Sequence, residues 1–416
     1  MARLILRGGR PLNGTVRVGG RKNAAVAVIP ATILAGGPCT FDNVPDIADV
    51  RTYLEILRSL GARVKTNSGS GLSIDPRPVR PVTPPDELAK KMRASYYLLG
   101  ALLARFGTAA VALPGGCDIG ERPIDQHIKG LNALGVEVAI EHGLIKARAE
   151  KLHAALVYLD VTSVGATINI ILAATGAEGV TVIENAAREP HVVDVANFIN
   201  SIGGRVIGAG TDVVKVHGLI EPGSCHHSII PDEIEAGTLM IATVATRGQI
   251  RLENVIPKHL EPISAKLREV GATVDENGDY VLVRSNGRPK AVTVKTLPYP
   301  GFPTDAQQPM TALLAIADGT SLVTESVWEG RFKHVDELKR MGTKVRVEGR
   351  TAIIEGVERL TGAQVTATDL RAGAALVVAG LVAEGETVIQ GIEYVDRGYE
   401  RLDKKLRDLG ADIRRE

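Results

Sequence analysis

The segment Leu113-Pro-Gly-Gly-Cys117-Asp-Ile-Gly-Glu-Arg122-Pro123 places a cysteine and an arginine in a stretch with three glycines and two prolines. That composition predicts a long irregular loop able to act as a lid over a site. A thiol at its tip has an ordinary pKa of about 8.5, so it is a proton donor at neutral pH. Nearby cations would turn it into a nucleophile. Further along, polar residues interrupt apolar stretches in two recurring places. One is the start of a small-residue-rich helix: Arg21-Lys22-Asn23, Arg93, Ser163, Asp305 after Phe302-Pro303-Thr304, and Asp369 with Arg371. The other lies between a short strand and an amphipathic helix: Cys117 with Arg122, Arg188-Glu189, Arg331, and Asp396-Arg397. Helix N-termini present free N–H groups and about half a positive charge, so several of them predict an anion trap. The added Lys and Arg suit phosphate or carboxylate.

The elements that position these residues are written six times. Glycines after a helix recur at Gly61, Gly135, Gly203, Gly271, Gly342 and Gly410. A second series runs through Gly37, Gly107, Gly179, Gly248, Gly319 and Gly385. Two ladders with one period near 70 residues define a repeat. Each copy reads helix, strand, helix, strand, strand. In the second copy the expected elements are a buried helix over Arg93–Arg105 ended by Gly107, a strand Thr108–Leu113, an amphipathic helix Ile124–Leu134, and a hairpin of Val136–Ile140 and Leu144–Ala147 turning at His142-Gly143. In the third they are Ala166–Thr175, Val180–Ile183, Val192–Ile202, Arg205–Ile207 and Val213–Val216. The last copy lacks its second hairpin strand, while Leu4–Leu6 and Val16–Val18 precede the first copy. Both early strands are therefore expected to complete the final repeat. The resulting division is 22–229 as one three-repeat domain, with 1–21 and 230–416 as the other, and the anion-binding residues of both are expected to face a common cleft.

With 49 Lys and Arg against 48 Asp and Glu, the net charge of +1 offers nothing to nucleic acid or an anionic membrane. Aromatic residues at 3% argue against a base-stacking surface. Apolar runs such as Ala372–Ala383 are too short to span a bilayer, and the N-terminal residues lack the apolar core of a signal peptide. A soluble cytoplasmic chain is expected. Cys39, Cys117 and Cys225 form no CxxC pair, so no disulfide framework is expected; Cys39 is read as a strand residue and Cys225 as a loop residue. Cys225-His226-His227 lacks metal-ligand spacing and is not read as a metal site. No glycine-rich stretch matches a P-loop or a dinucleotide fingerprint.

Several segments together resemble one family: Arg21-Lys22-Asn23-Ala-Ala, Met92-Arg93-Ala94-Ser95, Pro-Gly-Gly-Cys117 through Arg122-Pro-Ile-Asp125-Gln-His127, Ser163-Val-Gly-Ala-Thr, Glu184-Asn-Ala-Ala-Arg-Glu189-Pro, Tyr299-Pro-Gly-Phe-Pro-Thr-Asp305, Thr368-Asp369-Leu-Arg371 and Asp396-Arg397-Gly-Tyr-Glu-Arg. The chain is similar along its whole length to the UDP-N-acetylglucosamine 1-carboxyvinyltransferases, enolpyruvyl transferases of peptidoglycan synthesis, and hence of cell-wall biogenesis, cell shape and cell division. The resemblance implies an α/β fold of two domains, the inside-out α/β barrel pair of the enolpyruvyl transferases, with three repeats in each. It implies transfer of the enolpyruvyl group of phosphoenolpyruvate to the 3-hydroxyl of UDP-N-acetylglucosamine, with release of phosphate. Cys117 would be the acid and the site of a covalent phosphoenolpyruvate adduct, and the target of fosfomycin. Asp305 would be the base or proton relay. Lys22, Arg122 and Arg397 would hold phosphoenolpyruvate, with Arg93 and Arg371 alongside. Asn23, Arg122, Pro123, Ile124, Asp125, Gln126, Ser163, Val164, Gly165, Asp305 and Val327 would hold the nucleotide sugar. No metal or organic cofactor is implied, charge being stabilised by preorganised cations and helix ends.

Two positions depart from the family pattern. Val161 stands where a Lys often precedes Ser163-Val-Gly, and Glu233 follows Pro231-Asp232 where an Arg is frequent. Two rival readings share the fold: a 5-enolpyruvylshikimate 3-phosphate synthase, and an inactive paralogue that binds a sugar nucleotide. The Pro-Gly-Gly-Cys117 loop and Arg122-Pro-Ile-Asp125 argue against the first; Lys22, Cys117, Asp305 and Arg397 argue against the second.

Overall fold

Residues 2–66, 71–113, 124–219 and 221–416 are described by the structure, a computed structural model. They divide into two compact units. One combines the N-terminal residues to Gly19 with Pro231–Glu416; the other takes the described residues of 20–230. Each unit has its own cluster of buried apolar side chains.

At the centre of each unit lie three helices apolar on nearly every side. In the 20–230 unit these are Lys22–Ala31, Tyr97–Phe106 and Val164–Ala174. In the other they are Glu233–Ala245, Gln307–Leu314 and Leu370–Gly380. A helix with no polar face can only be stable inside, packed on its siblings. Small residues allow close approach: a Cβ at Gly100 would sit 2.3 Å from the backbone oxygen of Asn169 on the neighbouring helix. The expected helix over Arg93–Arg105 is split, with Arg93–Tyr96 forming a 3₁₀ turn before the α-helix begins. Around these centres lie amphipathic helices: Ala48–Ser59, Asp125–Ala133 and Pro190–Ser201 in one unit, Pro257–Glu269, His334–Arg340 and Leu402–Asp408 in the other. The six glycines that follow them all lie at positive φ, from 85° at Gly135 to 104° at Gly61. Only glycine takes that conformation without strain, which explains the first ladder.

Among the described residues each copy contributes a small sheet, five of four strands and one of three. Hairpins form the sheets as expected; His142 and Gly143, at φ 50° and 77°, turn Glu137–Glu141 into Leu144–Arg148. Among the described residues, five sheets also contain a short strand that the repeat reading did not include, running parallel to the first strand of the copy. Leu156–Tyr158 lies beside Val180–Glu184, and Thr293–Lys295 and Gln364–Thr366 play the same part in their copies. Cys225–Ser228, expected as a loop, is such a strand, paired with Cys39–Asp42. The two N-terminal strands separate. Leu4–Arg7 sits between Glu386–Gln390 and Asp412–Arg415 of the last copy, whereas Asn13–Arg17 joins Gln249–Glu253 of the fourth copy, contrary to the expectation that both complete the final repeat. Among the described residues no helix is long and apolar enough to cross a membrane.

One device recurs where the first strand of a copy ends. Asn43, Asn185 and Asn254 adopt left-handed backbone conformations, φ 55° to 57°, and their amides donate to the carbonyls of Ile229, Leu159 and Val18. Each ties the first strand of its copy to the end of the added parallel strand. In the fifth copy the same place holds Glu325, which accepts from the Thr296 hydroxyl instead. Here the scaffold position has acquired a charge.

Candidate active site

In the unit of residues 231–416, three sequence-expected polar positions converge. Asp305 lies in the 3₁₀ turn Thr304–Ala306 that leads into Gln307–Leu314. Its Oδ1 accepts from Arg331 Nη2 at 2.7 Å, and its Oδ2 from Arg371 Nη2 at 2.9 Å and Nε at 3.2 Å. Both guanidiniums are buried, while a quarter of the Asp305 side chain (26%) remains exposed. Burial by itself would raise the Asp305 pKa. The charges of Arg371 and Arg331 and their hydrogen bonds override it and hold the carboxyl well below the usual carboxylate range.

The arginines are themselves positioned. Arg331 Nη1 donates to Thr304 Oγ1 at 2.6 Å, and that hydroxyl donates to Glu325. Glu325 Oε1 also accepts the backbone N–H groups of Val327 and Trp328. Arg371 lies in the first turn of its helix, capped by Asp369, whose Oδ1 accepts from the N–H groups of Arg371 and Ala372. Its guanidinium stacks over the Tyr399 ring at 5.2 Å. Arg331 Nε and Arg371 Nη1 are buried without a hydrogen-bond acceptor among the described residues. Each of the two side chains that grip Asp305 thus keeps one buried donor that Asp305 does not use.

In the unit of residues 20–230, Lys22 opens its helix and pairs with Asp49 at 2.7 Å; both are largely buried. Asp125 begins the helix Asp125–Ala133, and Gln126 Nε2 donates to it at 2.9 Å while Gln126 Oε1 accepts from the Asp160 N–H. Ser163 caps the helix Val164–Ala174, accepting from Ala166 N–H. Against that helix start packs His127, a Cβ at Gly165 lying 2.9 Å from its Nε2. Asn169 holds the ring, accepting from Gly100 N–H and donating its own N–H to His127 Nδ1. Burial, and then the Arg93 charge, push the His127 pKa down to about 4, against a smaller upward pull from Asp125. The ring is neutral at pH 7.

The sequence comparisons decide what this arrangement belongs to. The EPSP synthase (3-phosphoshikimate 1-carboxyvinyltransferase) family profile matches residues 6–406. A UDP-N-acetylglucosamine 1-carboxyvinyltransferase of Clostridium botulinum is 59% identical over 414 residues, covering 99% of both chains. One of Symbiobacterium thermophilum is 59% identical over 417 residues, covering all of this chain and 98% of its own. The chain belongs to the UDP-N-acetylglucosamine 1-carboxyvinyltransferase family. Its fold is that of the enolpyruvyl transferases: the crystal structure of the enolpyruvyl transferase NikO from Streptomyces tendae matches at TM-score 0.90 with 26% identity, covering 100% of this chain and 98% of that one. Family and fold are as the sequence resemblance implied.

For a UDP-N-acetylglucosamine 1-carboxyvinyltransferase family member, the expected site residues fall into three groups. Asp305, Arg371 and, through Glu325, Val327 share one network. Lys22, Asn23, Arg93, Ile124, Asp125, Gln126, Ser163, Val164 and Gly165 lie in the other unit, at or beside helix starts, and Arg397 ends the 3₁₀ turn Val395–Arg397. Cys117, Arg122 and Pro123 lie outside the described residues. Three participants were given no role from sequence. Arg331 was noted only as a break in the repeat, at the place that carries Arg397 in the next copy. Asp49 is an acid on the buried face of an amphipathic helix, and Glu325 stands where three sibling copies carry asparagine. Of the departing positions, Val161 is exposed and Glu233 is buried at the start of its helix.

Proposed function

We propose that the protein transfers the enolpyruvyl group of phosphoenolpyruvate to the 3-hydroxyl of UDP-N-acetylglucosamine and releases phosphate. The observation that carries this reading is the pair Arg331 and Arg371, closed on one carboxylate and each keeping a buried donor without an acceptor. Two converging guanidiniums are built for a planar carboxylate, and the substrate brings one. In this reading Lys22, Arg122 and Arg397 hold the phosphoenolpyruvate, with Arg93 and Arg371 alongside. Asn23, Arg122 to Gln126, Ser163 to Gly165, Asp305 and Val327 hold the nucleotide sugar.

The reaction adds a proton to the vinyl carbon and the sugar oxygen to its neighbour, then expels phosphate as the methyl carbon loses a proton. Cys117 supplies the first proton, or joins the substrate covalently, and is the position fosfomycin alkylates. Asp305 accepts the hydroxyl proton. Its carboxyl is held ionised and weakly basic by the two arginines. A substrate carboxylate that draws on Arg331 and Arg371 weakens their hold on Asp305 and raises its proton affinity when the acceptor hydroxyl is present. Binding the acid and readying the base become one event. Both substrates are charged metabolites, so the reaction belongs in the cytoplasm. The deciding assay is phosphate release from phosphoenolpyruvate with each acceptor. Turnover is expected with UDP-N-acetylglucosamine; turnover with shikimate 3-phosphate alone, or binding of the sugar nucleotide with no phosphate released, would overturn the reading.

A further inference from the structure

Two cysteines outside the catalytic network are placed together by the sheet. Cys39–Asp42 and Cys225–Ser228 run parallel with Cys225 directly opposite Cys39, and the second of these strands forms the edge of its sheet. Paired residues on parallel strands point to one face and lie about 4.8 Å apart, inside the ~4.4–6.8 Å Cα separation that a disulfide spans. Both cysteines are free, and their register sets the two thiols close enough to shift each other's proton affinity. Their surroundings differ. Cys39 is fully buried, and its sulfur makes a weak contact to the Gly37 carbonyl at 3.8 Å. Cys225 is partly exposed at the edge, with the Ser201 hydroxyl near it and His227 next along the same face of its strand. His226 bonds Thr40 and Asp42, and His227 bonds Asp194, so both rings of the edge strand are held in place.

We propose that Cys225 and Cys39 form a reversible dithiol–disulfide couple in which Cys225 is the attacking sulfur and Cys39 the resolving one. The distribution of the proton agrees with these roles. The hydrogen bond from Cys39, helped by Ser201 and the two histidines and opposed by burial, holds the Cys225 thiol down to about 6, whereas the same contact and burial push Cys39 up. The thiolate forms on the exposed sulfur, where an oxidant can reach it. The oxidant is a soluble disulfide such as oxidised glutathione. Cys225 sulfur attacks one of its sulfurs, forming a mixed disulfide and releasing one thiolate. Cys39 then gives up its proton and attacks the Cys225 sulfur, breaking the mixed bond and releasing the second thiolate. Two protein thiols are oxidised by two electrons, and the soluble disulfide is reduced to two thiols. The new bond would close a loop between residues 186 positions apart, joining the segment that carries the chain out of this unit to the first strand after its first helix. Reversible cross-links of this kind serve as redox sensors in reducing compartments.

The test uses the full chain, reduced and then exposed to oxidised glutathione under native conditions, alkylated, and digested without reductant. Peptides bearing Cys39 and Cys225 are expected to be recovered joined, both thiols being lost to alkylation, and dithiothreitol should restore both. Cys39→Ala should stop at a glutathione adduct on Cys225, and Cys225→Ala should leave Cys39 unmodified in the folded chain. The proposal falls if Cys225 remains fully alkylatable after oxidation. It falls equally if Cys39 or Cys225 links to Cys117 instead, or if the Cys39–Cys225 link forms as fast in urea as in the folded chain.

Discussion

Asp305 is held by charge more than by shape, and replacing it separates the two. Asp305→Asn keeps the outline but leaves Arg331 and Arg371 without their counter-charge. Turnover is expected to fall by roughly 10²-fold or more while sugar-nucleotide binding, followed calorimetrically, stays largely intact. Near-normal turnover would exclude Asp305 as the base. The same variant carries a pH signature. The folded pKa lies below the unfolded value of about 3.9, so the stabilisation is present in full above that pH and is lost as pH falls through the folded pKa. The gap in urea midpoint between the parent chain and Asp305→Asn should therefore be flat from pH 7 to pH 5 and narrow only below about pH 4. Cys117→Ala should abolish the mass shift on incubation with fosfomycin; labelling that persists elsewhere would refute the cysteine's role. At this scale the residue types proposed to react could be picked out because a thiol, a carboxylate and cations recur where polar residues break the apolar repeat. The partner of Asp305 could not: Arg331 lies 26 positions away and Arg371 66, and nothing local couples them.

The elements divide into those that follow from short-range pattern and those that do not. Buried helices and hairpins were legible because apolarity and turn chemistry repeat over neighbouring positions, as at His142-Gly143. Four of the parallel strands were not, since three or four residues are too few for an alternation to show; the fifth, Asn13–Arg17, was legible as a strand but not its partner far along the chain. Two substitutions test how the elements are held. Gly100→Ala would press a methyl against the Asn169 backbone and amide oxygens and is expected to cost about 1–3 kcal/mol in urea denaturation, the neighbouring backbone having to move. Asn185→Ala loses the hydrogen bond to the Leu159 carbonyl and puts an alanine at φ 56°. It is expected to cost about 1–3 kcal/mol from the lost bond and the left-handed strain together; an unchanged midpoint would show that the recurrent asparagine is dispensable.

For the whole molecule, the N-terminal strand gives the strongest prediction. Leu4–Arg7 lies between two strands of the last copy, with Leu4 and Leu6 buried, so a chain lacking residues 1–8 exposes two strand edges at once. Its urea midpoint, followed by far-ultraviolet circular dichroism, is expected to fall below that of the full chain. From the sequence alone came the six-fold period, the all-apolar central helices, the kinds of chemistry available and the family. Those are written in residues a few positions apart or in whole-length similarity. Only the tertiary structure decided that Asn13–Arg17 serves the fourth copy, that Arg331 and Arg371 share Asp305, that Lys22 meets Asp49, and that Cys225 lies against Cys39. Each of these is a pairing across a long stretch of chain, chosen by which surfaces pack when the copies assemble, and such a choice leaves no periodic mark in the chain itself.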